Sequence, residues 1–218
     1  MIIIRFLTLF FIVFSLCTNL AFAVQQGGIQ YTIPIEYSLF DENKVNAEAE
    51  SLYQRFLTSE DERQKYILLE TMLGKYTILG EIDKENPLYF TRLGIIFDKM
   101  HKDRWAKSNF FRSTNLNPNY PYANYSFANF YFDRKDFRKA LKEYLRAYNT
   151  GYDNHYETLY QIGTIYEKYG DFSSAINFYN KALAIKYSEE LRAKIVSLED
   201  LLSKNSLYNQ RDRQRLDK

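Results

Sequence analysis

The chain holds two histidines, His101 and His155, and one cysteine, Cys17. A metal centre needs three or four ligands drawn from His, Cys and carboxylates, and neither H-x-x-x-H nor C-x-x-C spacing occurs. Both histidines fall in breaks between helical patterns and read as solvent-exposed loop residues. Carboxylates cluster at Glu60-Asp61-Glu62 and Glu189-Glu190, each at the start of a helical pattern, where negative charge complements the helix dipole. They read as capping groups, not as an acid–base pair. No G-x-S-x-G, P-loop or dinucleotide fingerprint is present. The expectation is a protein without catalytic, cofactor-binding or metal-binding residues. Basic residues mix with an aromatic in Arg134-Lys135-Asp136-Phe137-Arg138-Lys139, but an acid interrupts the run. The formal net charge is only +2, so nucleic acid is not an expected partner. Asn124-Tyr125-Ser126 is a formal glycosylation triplet inside a predicted helix and is set aside.

The first residues set the compartment. Arg5 gives a positive start, Phe6 to Cys17 is almost unbroken apolar sequence, and Ala21-Phe22-Ala23 is an A-x-A cleavage site. Residues 1–23 therefore read as a secretory signal, with the mature chain beginning at Val24 and the product periplasmic or secreted. Two other readings stand beside it. Residues 2–23 would serve as a membrane anchor if uncleaved, although Ser15, Thr18 and Asn19 interrupt the apolar stretch. Lipid attachment at Cys17 is disfavoured by Leu16, where a small residue is usual. Cleavage at Ala23 removes the only cysteine, so the mature chain would be held by packing without disulfides.

Spacing carries the fold. Leu159, Ile162-Gly163, Tyr166, Gly170, Ala175, Tyr179 and Ala182 form one set; Phe90, Leu93-Gly94, Phe97, Ala106, Phe110, Ser113 and Pro118 form another. Phe127-Ala128, Tyr131, Ala140, Tyr144 and Ala147 lie between them. The three sets start near residues 87, 121 and 156, spaced 34 and then 35 residues apart. Each copy divides into two helical segments, roughly 88–99 and 104–114 in the first. The breaks are His101-Lys102-Asp103, Arg134-Lys135-Asp136 and Tyr169-Gly170-Asp171. Gly170 suits the left-handed residue after a helix, and Asp103, Asp136 and Asp171 are expected N-caps. Small residues paired as Gly94 with Ala106, Ala128 with Ala140 and Gly163 with Ala175 let two antiparallel helices approach, and the rings fill the remaining space.

This pattern resembles the tetratricopeptide repeat family, over about half the chain. The resemblance implies an all-α, right-handed solenoid of antiparallel helix pairs with helical caps, in which stacking of neighbours completes the core. Around three repeats at 87–120, 121–155 and 156–189, the flanks follow. Residues 24–43, with Gly27-Gly28 and Pro34, read as an extended arm without regular structure. Residues 44–86 read as a degenerate capping pair: a helix over 44–57, then one opened by a capping box at Ser59-Glu60-Asp61-Glu62, with Tyr66, Leu69, Leu73 and Tyr76 on one face. Ser188 is expected to cap a terminal helix over 190–204 bearing Leu191, Ile195, Leu198 and Leu202, with Arg192, Lys194 and Glu199 facing water. Residues 205–218 read as a flexible basic tail whose Arg211, Arg213 and Arg215 solubilise the end or touch an anionic membrane.

In this family the first helix of each repeat lines a concave groove. The resemblance places Thr91, Arg92, Ile95 and Asp98 there from the first copy, and Tyr122, Tyr125, Asn129 and Phe132 from the second. The third contributes Glu157, Tyr160, Gln161 and Thr164. Tyr and Asn at such positions would hold an extended peptide. Where some members clamp a C-terminal carboxylate with Lys, Asn and Arg, Asn129 matches, but the paired Lys positions hold Tyr125 and Tyr160. The implied function is a non-enzymatic scaffold that binds a protein or peptide outside the cytoplasm. An accessory subunit of an envelope or cell-wall assembly complex would look the same. Self-association through unpaired end faces is open, and a membrane is a partner only if residues 2–23 are retained.

Overall fold

The computed structural model describes residues 22–26, 29–33 and 36–216; residues 1–21 of the expected signal lie outside them. Nine α-helices follow one another among the described residues: α1 (Glu42–Thr58), α2 (Glu62–Ile82), α3 (Pro87–Lys99), α4 (Asp103–Leu116), α5 (Pro121–Asp133), α6 (Phe137–Ala147), α7 (Tyr156–Lys168), α8 (Phe172–Ile185) and α9 (Glu189–Leu216). None of them is long and apolar enough to cross a membrane. The chain divides into two units, Met1–Asn117 with α1–α4 and Pro118–Lys218 with α5–α9.

Three helical hairpins, α3/α4, α5/α6 and α7/α8, match the three sequence copies, and they turn in one way. His101, Lys135 and Gly170 take left-handed backbone angles (φ 56°, 60° and 75°). The next residue's N–H in each case reaches back to the fifth carbonyl before it: Lys102 to Phe97 (2.8 Å), Asp136 to Tyr131 and Asp171 to Tyr166 (3.0 Å each). This is a Schellman closure. Only the third copy uses glycine there; histidine and lysine hold the same angle against the cost that a Cβ imposes. Asp136 and Asp171 then cap α6 and α8, accepting from the N–H of Lys139 and Ser174. In the first copy the cap position falls on Lys102, not Asp103. Asp103 opens α4 as its first residue and supplies charge to the first turn.

Small residues do more than bring helices together. A Cβ on Gly94 would sit 2.6 Å from the Phe110 ring, and one on Gly163 would sit 2.6 Å from the Tyr179 ring. The second-helix ring therefore lies directly over the first-helix backbone. Ala106, Ala140 and Ala175 are fully buried beside these rings.

The flanks differ from expectation in several places. Strands β1 (Phe22–Gln26) and β2 (Ile29–Ile33) pair antiparallel, with Gln26 opposite Ile29, where an arm without regular structure was expected. A 3-10 turn, Tyr37–Leu39, leads into α1. Asp61, not Ser59, caps α2 by accepting from the N–H of Arg63; the Ser59 hydroxyl instead donates to Gln64 Oε1. Leu69, Leu73 and Tyr76 are buried as expected, but Tyr66 is exposed. Tyr76 stands 34 residues before Phe110, so α2 keeps the repeat register. Met72 holds the position of Ala106, too large for close approach. The partner helix α1 fully buries only Val45 and Ala49, with Leu52, Tyr53 and Phe56 half-buried, and is tied down by carboxylates: Glu42 accepts from Tyr89 Oη (2.8 Å), Glu48 from Lys75, and Glu50 from Tyr76 Oη (2.6 Å). At the other end, Ser188 caps α9 as expected, accepting from the N–H of Leu191 (3.3 Å). α9 runs to Leu216 in place of a tail beginning at 205.

Candidate functional site

In the second unit, α5 and α7 are the first helices of their repeats. Tyr122, Tyr125, Asn129 and Phe132 on α5 and Tyr160, Gln161 and Thr164 on α7 are all half-buried. Their neighbours separate them into two kinds. Tyr144 and Tyr179, fully buried on the second helices, send hydroxyls across to this row. Tyr144 Oη donates to Asn129 Oδ1. Tyr179 Oη lies 3.2 Å from Thr164 Oγ1 and 2.5 Å from Glu167 Oε2. Burial pushes both phenols well above their ordinary range, and in Tyr179 the bond to Glu167 adds to it. They stay neutral donors. Asn129, expected to bind a peptide amide, thus satisfies a buried phenol, and Thr164 does the same in the next repeat. Glu167 also pairs with Lys194 of α9 (2.8 Å), so Lys194 is engaged where it was expected to face water.

The aromatic members are held by other rings. Tyr125 packs against Tyr144 (6.0 Å between centroids), Tyr152 (5.8 Å) and edge-on against His155 (4.9 Å). Phe132 meets Phe137 and Tyr144, and Tyr160 stacks on Tyr156 and leans on Tyr179. These contacts fix the rings, each of which stays half-buried. Tyr122, beside Tyr120, and Gln161 complete a surface of rings and one amide. Such a surface offers contact area at low cost in side-chain entropy.

The first unit treats its four expected residues differently; Asp98 is half-buried near the end of α3. Thr91 is fully buried, donating to Pro87 O (2.9 Å) and sharing a hydrogen bond with Ser113 Oγ (2.7 Å). It turns inward between the helices and presents nothing to a partner. Arg92 is committed to Glu50 through two bonds (3.1 and 2.9 Å) and stacks over Tyr53 at 3.6 Å. Ile95 is half-buried, at the register position of Asn129 and Thr164.

Sequence reasoning also missed His155, which is half-buried and caps α7, while His101 is exposed in the α3/α4 turn as expected. The capping role was encoded in register: Asn86, a recognisable N-cap, stands at the matching position of the first repeat. Asn124 of the glycosylation triplet is fully buried and donates to Pro118 O (2.9 Å). Among the described residues no group of three His, Cys, Asp or Glu side chains converges.

Comparison with known proteins bears on this geometry. No curated protein matches the chain in sequence. Among solved structures, a double mutant of MamA RS-1 superposes with a TM-score of 0.60 at 14% identity, covering 79% of this chain and 91% of that one. MamA residues 41 to the end, from Desulfovibrio magneticus RS-1, gives 0.59 at 14%, covering 82% and 96%. pilF of Pseudomonas aeruginosa gives 0.57 at 14%, covering 78% and 72%. At this identity the likeness is one of fold. The family profile described as tetratricopeptide repeat matches residues 122–188, which are the second and third hairpins. Residues 122–188 are thus matched as tetratricopeptide repeats, and the first hairpin repeats their register and their Schellman turn.

Proposed function

We propose that this protein is an exported, non-catalytic scaffold that holds a partner protein or an extended peptide along the aromatic row of its second and third repeats. The repeat fold supports a protein- or peptide-binding role. The observation that carries the finer reading is the row itself: Tyr122, Tyr125, Phe132, Tyr160 and Gln161 are half-buried on two first helices of one unit. Their rings are held in place by neighbours, so binding orders little that is not already ordered. Asn129 and Thr164 belong to the support of this surface. A carboxylate clamp is not part of the proposal, because Tyr125 and Tyr160 stand where lysines would. Export rests on the Phe6–Cys17 apolar stretch and the Ala21-Phe22-Ala23 junction. The same stretch favours, as a second reading, a scaffold anchored by residues 2–23. An accessory role in envelope or cell-wall assembly is one form the scaffold would take.

The test is gentle crosslinking and purification from the native host. Wild type is compared with Tyr122→Ala/Gln161→Ala, which alters the row and spares its supports, and with Arg138→Ala/Lys142→Ala on the exposed side of α6. A defined partner lost from the first variant and kept by the second supports the reading. A partner kept by the first and lost by the second places the interface on α6. Sequencing the mature N-terminus separates the exported form, beginning at Val24, from the anchored one.

A further inference from the structure

The second repeat is one residue longer than the first, 35 against 34, and the surplus falls between Ala147 and His155. There α6 ends in a π-turn, Tyr148–Tyr152, whose Gly151 has φ 128°. π-turns of this kind close helix C-termini, and here the turn absorbs the extra residue. His155 follows at once as the N-cap of α7. Its counterparts are Asn86, whose side chain caps α3, and Tyr120, which gives α5 no side-chain cap.

The cap fixes the state of the imidazole. His155 Nδ1 accepts the N–H of Thr158 at 3.3 Å and lies 2.8 Å from the hydroxyl of Thr158, a fully buried residue. An acceptor at Nδ1 places the ring proton on Nε2, which faces the Glu157 carboxylate at 3.3 Å. Tyr152 of the π-turn stacks on the ring at 4.5 Å, and Tyr125 of α5 meets it edge-on at 4.9 Å. Tyr125, Tyr152 and Glu157 are the titratable groups that face it.

We propose that His155 is a proton-operated cap: the neutral imidazole closes the N-terminus of α7 and seats the π-turn against α5, and protonation opens this seam between the second and third repeats. A proton on Nδ1 removes the acceptor that Thr158 N–H needs and sets a cation at the positive end of a helix. Burial against the rings lowers the imidazole's pKa below its ordinary value, with the Glu157 charge opposing and weaker. The unfolded chain therefore binds the proton more readily than the folded one. The stabilisation is complete above an unfolded pKa of about 6.5 and is lost as pH falls through the lower folded value. In the first repeat Asn86 makes the same closure with a side chain that does not titrate.

The proposal stands independently of the binding role and is tested on the full chain. An NMR titration of the imidazole protons is expected to put His155 below about 6.5, with Thr158 N–H shifting in the same step. Thermal unfolding followed by circular dichroism between pH 7.5 and 5 is expected to show wild type losing about 3 °C more than His155→Asn, the size of one helix cap in a chain of this length. His155→Ala is expected to be lowered at both pH values. A His155 that titrates at or above the ordinary value overturns the proposal. So does a His155→Asn variant that loses as much as wild type on acidification. If that variant does not fold, the wild-type titration decides alone.

Discussion

Tyr179 packs directly against Gly163 and sends its hydroxyl to Thr164 and Glu167, so one ring sets both the helix spacing and the polar support of the surface. A methyl added at Gly163 meets ring carbons at 2.6 Å. Gly163→Ala is accordingly expected to destabilise by about 1–3 kcal/mol, outweighing alanine's better helix propensity of about 1 kcal/mol; urea unfolding measures the balance. The Schellman turns give the opposite sign. Lys135 holds φ 60° where the third repeat uses glycine, so Lys135→Gly is expected to stabilise by up to about 1 kcal/mol, read in the same assay. The rings and small residues of this arrangement were visible in the sequence because they recur at 34 and 35 residues. The hydroxyl partners were not, since they change from repeat to repeat: Asn129, then Thr164 with Glu167, and Ile95 where Phe110 carries no hydroxyl.

Elements follow the same division. Hairpins α3 to α8 were legible because each closes locally, through a left-handed turn and small residues fifteen or fewer positions apart. α1 was legible as a helix but not in its fixing, because its carboxylates reach partners 26 to 47 residues away. The β1/β2 pair had a signal, Gly27-Gly28 between alternating residues, that the proline nearby obscured. α9 shows how an end is closed: Leu191, Ile195 and Leu198 are buried against the α7/α8 hairpin, with Tyr179 and Ala182 in the same cluster. Truncation after Lys204 keeps these three and is expected to leave helicity per residue and melting temperature near wild type. Truncation after Ser188 exposes the cluster and is expected to lose cooperative unfolding, as solenoids do without a capping element. Circular dichroism of the two truncations checks both.

At the scale of the molecule, the second unit has its own core, built around Tyr144 with Ile162 and Ile165, and around Tyr179 with Leu159 and Ile195. That core fixes Tyr122, Tyr125, Phe132 and Tyr160 as half-buried rings, with Gln161 beside them on α7. The surface came from the register of a recognised repeat; its supports came only from packing. The role proposed for this row is to bind an extended chain. Panning a library of random decapeptides against the full protein, then titrating the enriched peptides by fluorescence, tests it most directly. The expected peptides lose affinity about tenfold or more in Tyr122→Ala/Gln161→Ala, as for a row containing one binding hot spot, and keep it in Arg138→Ala/Lys142→Ala. Peptides indifferent to the first pair of substitutions, or no enriched peptide at all, would contradict it.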